Sequence, residues 1–174
     1  MGRTVTVFGT SKADECDAAF ATALSLGRQL AAAGFAVANG GYGGTMLAGA
    51  KGAREAGGRV IGVTCRAFKR SAANAYVSEE RPTETLSERL AALVALGDAY
   101  VALPGGTGTL LEVAEVWECK NKGFAGADKP IVLVGAFWEP LAAMMAAQDA
   151  RCRACVELVN DADEAVGVLR KILK

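Results

Sequence analysis

The residues with the clearest chemical meaning lie in one run, Pro104-Gly105-Gly106-Thr107-Gly108-Thr109-Leu110-Leu111-Glu112. Glycines between a strand and a helix let backbone N–H groups approach an anion, and a helix N-terminus adds favourable partial charge. Thr107 and Thr109 contribute hydroxyls at the helix start. The run lacks the Gly-Lys-Ser/Thr ending of a P-loop, so nucleoside-triphosphate hydrolysis of that type is not expected. Its distinctive member is Glu112, one turn into the helix. A carboxylate beside an anion site repels what the site binds, so the placement calls for a functional reason or a cationic partner. Glu115 follows on the same face at i+3 and reads equally well as a solvated helix residue or a functional one.

Two further loops have suitable composition. Gly40-Gly41-Tyr42-Gly43-Gly44-Thr45 carries four glycines after one strand and before the next helix. A tight turn with close helix–strand packing needs one or two, so ligand approach by Gly41, Gly43, Gly44 and Thr45 is the favoured expectation. Tyr42, flanked by glycines, is a candidate for stacking on a ligand base. Gly9-Thr10-Ser11-Lys12 offers hydroxyls and one cation, and Gly9, Thr10 and Ser11 join the candidate phosphate or nucleotide site. This first turn is not a G-x-G-x-x-G, so the dinucleotide fingerprint is missing from it.

The chain contains no histidine. Ser-His and Cys-His nucleophile pairs, His-containing metal sites and imidazole acid/base catalysis are therefore excluded. Catalysis has to run on carboxylates, Arg, Lys, Cys, Tyr, hydroxyls and backbone amides. Lys plus Arg equals Asp plus Glu at 19 each, which leaves no net field to draw the chain to nucleic acid or anionic lipid. Five scattered cysteines form no secreted framework, and Cys152-Arg153-Ala154-Cys155 alone is a weak redox or zinc signal. The strand-like Thr4–Phe8 leaves no room for a signal peptide, and no apolar stretch reaches spanning length. The expectation is a cytoplasmic protein with reduced thiols, no metal site and no membrane partner. Trp117 and Trp138 read as core or subunit-interface residues.

These loops need elements to hold them. Apolar runs at 5–8, 35–38, 59–64, 99–103, 130–134 and 156–159 read as strands. Segments 14–33, 45–56, 84–96, 107–120, 137–147 and 161–173 read as helices, the last with Asp161 as its N-cap. The segment 65–82 is polar and irregular, a functional-loop candidate. Continuous apolar strands alternating with helices define an α/β fold: a doubly wound, mostly parallel, Rossmann-like sheet with helices on both faces. With no repeats and no linker, residues 1–174 are expected to form one domain.

Pro104–Glu112 matches P-G-G-x-G-T-x-x-E, and the chain thereby resembles the LONELY GUY (LOG) family of cytokinin-activating phosphoribohydrolases, long mislabelled as lysine decarboxylases. Val7–Ser11 resembles the family's opening strand and loop, Gly40–Met46 its second loop, Gly57–Val63 its third strand, and Glu88-Arg89 its Glu-Arg-Lys segment. The resemblance implies a Rossmann-like homodimer or an assembly of dimers. It further implies hydrolysis of the N-glycosidic bond of a nucleoside 5′-monophosphate, giving free base and ribose 5-phosphate without a cofactor. By the same resemblance Arg89 and Glu112 form the catalytic pair, and Gly105, Gly106, Thr107, Gly108 and Thr109 hold the phosphate. An oxocarbenium-like transition state suits a carboxylate that also orients water. Arg89 stays protonated, so its role is to keep Glu112 ionised and to position phosphate or ribose.

The chain departs from the family pattern at named positions. Leu90 stands where the family has Lys, and Gly-Tyr-Gly-Gly-Thr replaces Gly-Ser-Val-Gly-Leu. The exit of the third strand, Cys65–Arg70, is basic. These differences place the chain on a divergent bacterial-type branch near the molybdenum-cofactor carrier proteins, which resemble the family and bind a phosphorylated pterin. A non-catalytic carrier or sensor of a phosphorylated ligand is the alternative reading.

Overall fold

A computed structural model describes residues 2–68, 72–124 and 126–173. Seven strands, β1 (Thr4–Phe8), β2 (Ala36–Asn39), β3 (Val60–Cys65), β4 (Glu79–Thr83), β5 (Ala99–Ala102), β6 (Ile131–Val134) and β7 (Glu157–Val159), form one sheet. Its order is β4-β3-β2-β1-β5-β6-β7, and every pairing is parallel. The expected architecture is therefore present, with a wholly parallel sheet.

Alternation along the strands sends side chains into two cores. Val5, Val7, Val101, Val132 and Val134 enter one, and Phe8, Tyr100, Ala102, Ile131 and Leu133 the other. Helices α1 (Ala18–Ala32), α2 (Thr45–Glu55) and α7 (Ala162–Ile172) cover the first face; α3 (Leu86–Leu96), α4 (Thr107–Asn121), α5 (Glu139–Gln148) and α6 (Ala150–Ala154) cover the second. Asp161 caps α7, its side chain accepting from the Glu164 N–H. No helix among the described residues is long and apolar enough to cross a membrane.

Several boundaries differ from expectation for local reasons. Helix α1 begins at Ala18 rather than Asp14, because the Cys16 N–H donates to the Asp14 carboxylate and the Asp14 N–H to that of Asp17. Such local bonds offer the backbone an alternative to helix. The polar segment 65–82 contains a 3-10 turn (Arg66–Phe68) and the strand β4. Strand β4 lies at the sheet edge, pairs only with β3 and carries Glu79, Glu80, Arg81 and Pro82, so it has no apolar signature. Lys69 and Arg70 of the basic segment lie outside the described residues. The helix expected over 137–147 divides into a 3-10 turn (Ala136–Trp138) and α5, with Pro140 in the first turn of α5. Helix α6 was not expected; Asp149 caps it by accepting from the Arg151 N–H.

Candidate functional site

The chain runs outward from β1 through β2 and β3 to β4, then crosses back to pair β5 with β1. A crevice opens at such a switch point, outside the carboxyl ends of the strands. There the loops after β1, β2, β3 and β5 and the N-terminal turns of α3 and α4 enclose a cleft of about 630 Å³.

One wall is the start of α4. Gly106 is the N-cap and supplies no side-chain cap, and the first N–H groups of a helix have no intrahelical partner. Gly106, Thr107, Gly108 and Thr109 line the cleft, facing Gly9, Thr10, Ser11 and Lys12 from the β1–α1 loop. Pro104 and Gly105 are not among the cleft-lining residues. Gly105 packs against Thr109, where a Cβ would overlap the threonine hydroxyl.

Glu112 and Arg89 meet between these loops and the opposite wall. Helix α3 opens with a capping box, Thr85 accepting from the Glu88 N–H while Glu88 returns to the Thr85 N–H. One residue on, Arg89 turns to the sheet on the same helix face as buried Leu93. Its Nε donates to the Val63 carbonyl at 2.9 Å. Its guanidinium lies 5.8 Å from the Tyr42 ring centroid and 5.4 Å from that of Phe68. Its Nη1 is 3.6 Å from Glu112 Oε1, and the two side chains are only 9% and 13% exposed. That distance is too long for a strong hydrogen bond and close enough for strong charge interaction.

Burial pushes the Glu112 carboxyl up from 4.5 to about 7, against the opposing pull of Arg89. Arg89 therefore does not hold Glu112 fully ionised at neutral pH, as the sequence reading had it; desolvation is the larger effect. The result is a carboxyl that can exchange a proton near neutrality, beside a fixed cation and an uncapped helix terminus.

The second glycine loop is organised differently. Gly41, Gly44 and Thr45 are buried, Gly43 is half-buried, and none of the four lines the cleft. The Gly41 N–H donates to the Asn39 side chain, Asn74 donates to the Gly41 and Tyr42 carbonyls, and the Thr45 N–H and hydroxyl both donate to the Thr10 carbonyl. Tyr42 does line the cleft. Its hydroxyl donates to the Cys65 carbonyl at 3.1 Å and accepts from the Cys65 N–H at 2.7 Å. Glu115 is exposed and stands outside the cleft.

Lys12, Met46, Phe68, Leu86, Leu90 and Leu111 complete the lining beyond the candidate site residues, Leu90 having been marked only as a departure from the family pattern. Lys12 was noted only as a cation in its loop. Leu86 and Leu90 follow from Arg89, since they flank it at i−3 and i+1 on α3; nothing local in the sequence marks Phe68. Among the described residues no group of three or more Cys, Asp or Glu is arranged to hold a metal ion.

A family model described as possible lysine decarboxylase matches residues 46–172. A protein of Oryza sativa subsp. japonica, named a probable cytokinin riboside 5′-monophosphate phosphoribohydrolase, is 32% identical over 86% of this chain and 70% of its own length. A Mycobacterium tuberculosis protein named cytokinin riboside 5′-monophosphate phosphoribohydrolase is 36% identical over 64% of this chain, which spans 60% of that protein. Among solved structures, the molybdenum cofactor carrier protein of Chlamydomonas reinhardtii superposes with a TM-score of 0.80 at 28% identity, covering 99% of each chain.

Proposed function

The chain belongs to the possible lysine decarboxylase family, the LOG family of the sequence reading, and from that premise we propose that it hydrolyses the N-glycosidic bond of a nucleoside 5′-monophosphate. The observation that carries the reading is the buried Arg89–Glu112 pair, 3.6 Å apart, beside the uncapped N-terminus of α4. In this reading the 5′-phosphate rests on the N–H groups and hydroxyls of Gly106–Thr109, with Lys12 as an additional cation. Ribose then lies toward Glu112. As the bond from C1′ to the base nitrogen breaks, positive charge develops on the ribose ring, and the Glu112 carboxylate stabilises it. Water adds to C1′, Glu112 accepts its proton, and the base departs with its electron pair and gains a proton from solvent. The products are ribose 5-phosphate and free base. Arg89 limits how far burial neutralises Glu112 and fixes where the carboxylate sits.

The test is incubation of pure protein with AMP and other nucleoside monophosphates, with free base and ribose 5-phosphate read by chromatography. Turnover that Glu112→Gln abolishes supports the reading, and no turnover on any purine monophosphate at high protein concentration rejects it.

A second reading, a homodimeric carrier of a phosphorylated ligand without catalysis, is favoured by two observations. Leu90 lines the cleft at the position of the family's Lys, and the Chlamydomonas carrier matches over nearly its full length. It predicts a phosphorylated ligand retained through purification and identified by mass spectrometry, with no release of base. Size-exclusion chromatography with light scattering tests the dimer, and cell fractionation tests the cytoplasmic location.

A further inference from the structure

Besides Glu112, four features converge on the Arg89 guanidinium, and all of them come from outside the cleft's phosphate wall. The Val63 carbonyl takes Nε, and the Tyr42 and Phe68 rings lie beside the cationic carbon. The fourth is a space rather than an atom: a Cβ on Gly40 would overlap Nη2 of Arg89. Gly40 is not one of the glycines with positive φ, so the side chain is excluded by volume and not by backbone angle. The same Cβ would stand 2.7 Å from Met46 Sδ, the outer part of a flexible side chain that can yield. Arg89 cannot yield in the same way, because its Nε is anchored to β3.

Tyr42 is equally constrained. Its hydroxyl is bonded to both the N–H and the carbonyl of Cys65, at the end of β3. The loop that carries Gly40 and Tyr42 is tied down by Asn39 and Asn74. Strand β3 and the β2–α2 loop thus form one rigid socket.

We propose that Gly40 and Tyr42 are positioning residues for Arg89, the glycine by leaving room for Nη2 and the tyrosine by walling the guanidinium, so that Nη1 faces Glu112. The second glycine-rich loop then serves the chemistry from behind, by aiming a cation. The effect on turnover rests on the phosphoribohydrolase reading; the socket itself does not.

The experiment combines kinetics on a nucleoside monophosphate with thermal unfolding of wild type, Gly40→Ala, Arg89→Ala and the double variant. Gly40→Ala should lower kcat about 100-fold, the scale of a misplacement of about 1 Å, with KM changed less than about threefold, since the phosphate wall is untouched. Tyr42→Leu should lower kcat in the same pattern, and Tyr42→Phe, which keeps the ring, should restore most of it. Without the guanidinium to strike, Gly40→Ala should shift the melting temperature less in the Arg89→Ala background than in wild type. If Gly40→Ala alone fails to fold, folding of the double variant supports the socket and failure of both rejects it. An equal shift in both backgrounds, or a Gly40→Ala enzyme with wild-type kcat, also overturns the proposal. A wild type with no turnover defeats the functional reading alone, and the unfolding comparison then decides the socket by itself.

Discussion

The loops at 40–45 and 104–109 read almost alike: a strand, a cluster of glycines, a threonine, a helix. In space they do opposite things. At Gly106 and Gly108 a Cβ would meet nothing within 4 Å, and both residues face the cleft. At Gly40 and Gly44 a Cβ would strike Arg89 and the Thr10 carbonyl. Gly106 and Gly108 leave the cleft wall bare, whereas Gly40 and Gly44, like Gly105 against Thr109, let protein approach protein. The N–H groups tell the same story, since those of Gly41 and Thr45 are spent on Asn39 and Thr10 while the first turn of α4 has no cap. Glycine content alone does not separate the two arrangements; whether the removed volume is open or filled does.

The largest effects should come from the pair between the loops. Glu112→Gln is expected to lower kcat by about a thousandfold, and Arg89→Met by a similar factor, with purified protein still folded. Activity that survives either change would move the chemistry elsewhere in the cleft and remove the reason for contrasting the loops.

Next come the glycines themselves. Gly44 has φ of 66° and would place a Cβ against the Thr10 carbonyl. Gly44→Ala should therefore cost about 3 kcal/mol, a fall in melting temperature of roughly 10 °C for a chain of this size. Gly108→Ala should leave stability unchanged or raise it by up to about 1 kcal/mol, because alanine favours helix. It should weaken the affinity for inorganic phosphate or a nucleoside monophosphate about tenfold by crowding the wall where the anion would sit. The two measurements, thermal unfolding and calorimetric binding, should rank the variants in opposite orders. The same ranking in both would erase the distinction between the loops.

Much of this is legible in the amino-acid sequence. The six apolar strands and the chain's alternation announced the parallel sheet, and Pro104–Glu112 announced the uncapped helix start with its acid. Strand β4 was not legible, because an edge strand of Glu, Arg and Pro carries no periodic apolar signal. The separate roles of the two loops were not legible either, since they depend on what stands opposite each missing Cβ across long sequence separations. Arg89 is an intermediate case. Its i+4 spacing to Leu93 put a cation on the buried face of α3, a signal visible in the sequence that drew notice only through the resemblance.

The smallest effect is also the most specific to the Arg89–Glu112 pair. Burial raises the Glu112 carboxyl from 4.5 to about 7, so the folded protein binds a proton that the unfolded chain has already released between those values. Stability attributable to this group is full below about pH 4.5 and is lost as pH rises through about 7. The upper bound on the loss is about 3 kcal/mol, from 1.36 kcal/mol per unit. Glutamine at 112 mimics the protonated acid at every pH. The melting temperature of Glu112→Gln should therefore match wild type near pH 5 and exceed it progressively toward pH 8, by several degrees at most, while Arg89, left without a counter-charge, trims the gain. In the wild type, turnover that needs the carboxylate should rise through the same interval, with its acidic limb near pH 7. A melting difference that stays flat from pH 5 to 8 would mean that Glu112 is as well solvated as an ordinary surface acid. The contrast between a desolvated acid and the open first turn of α4 would then disappear.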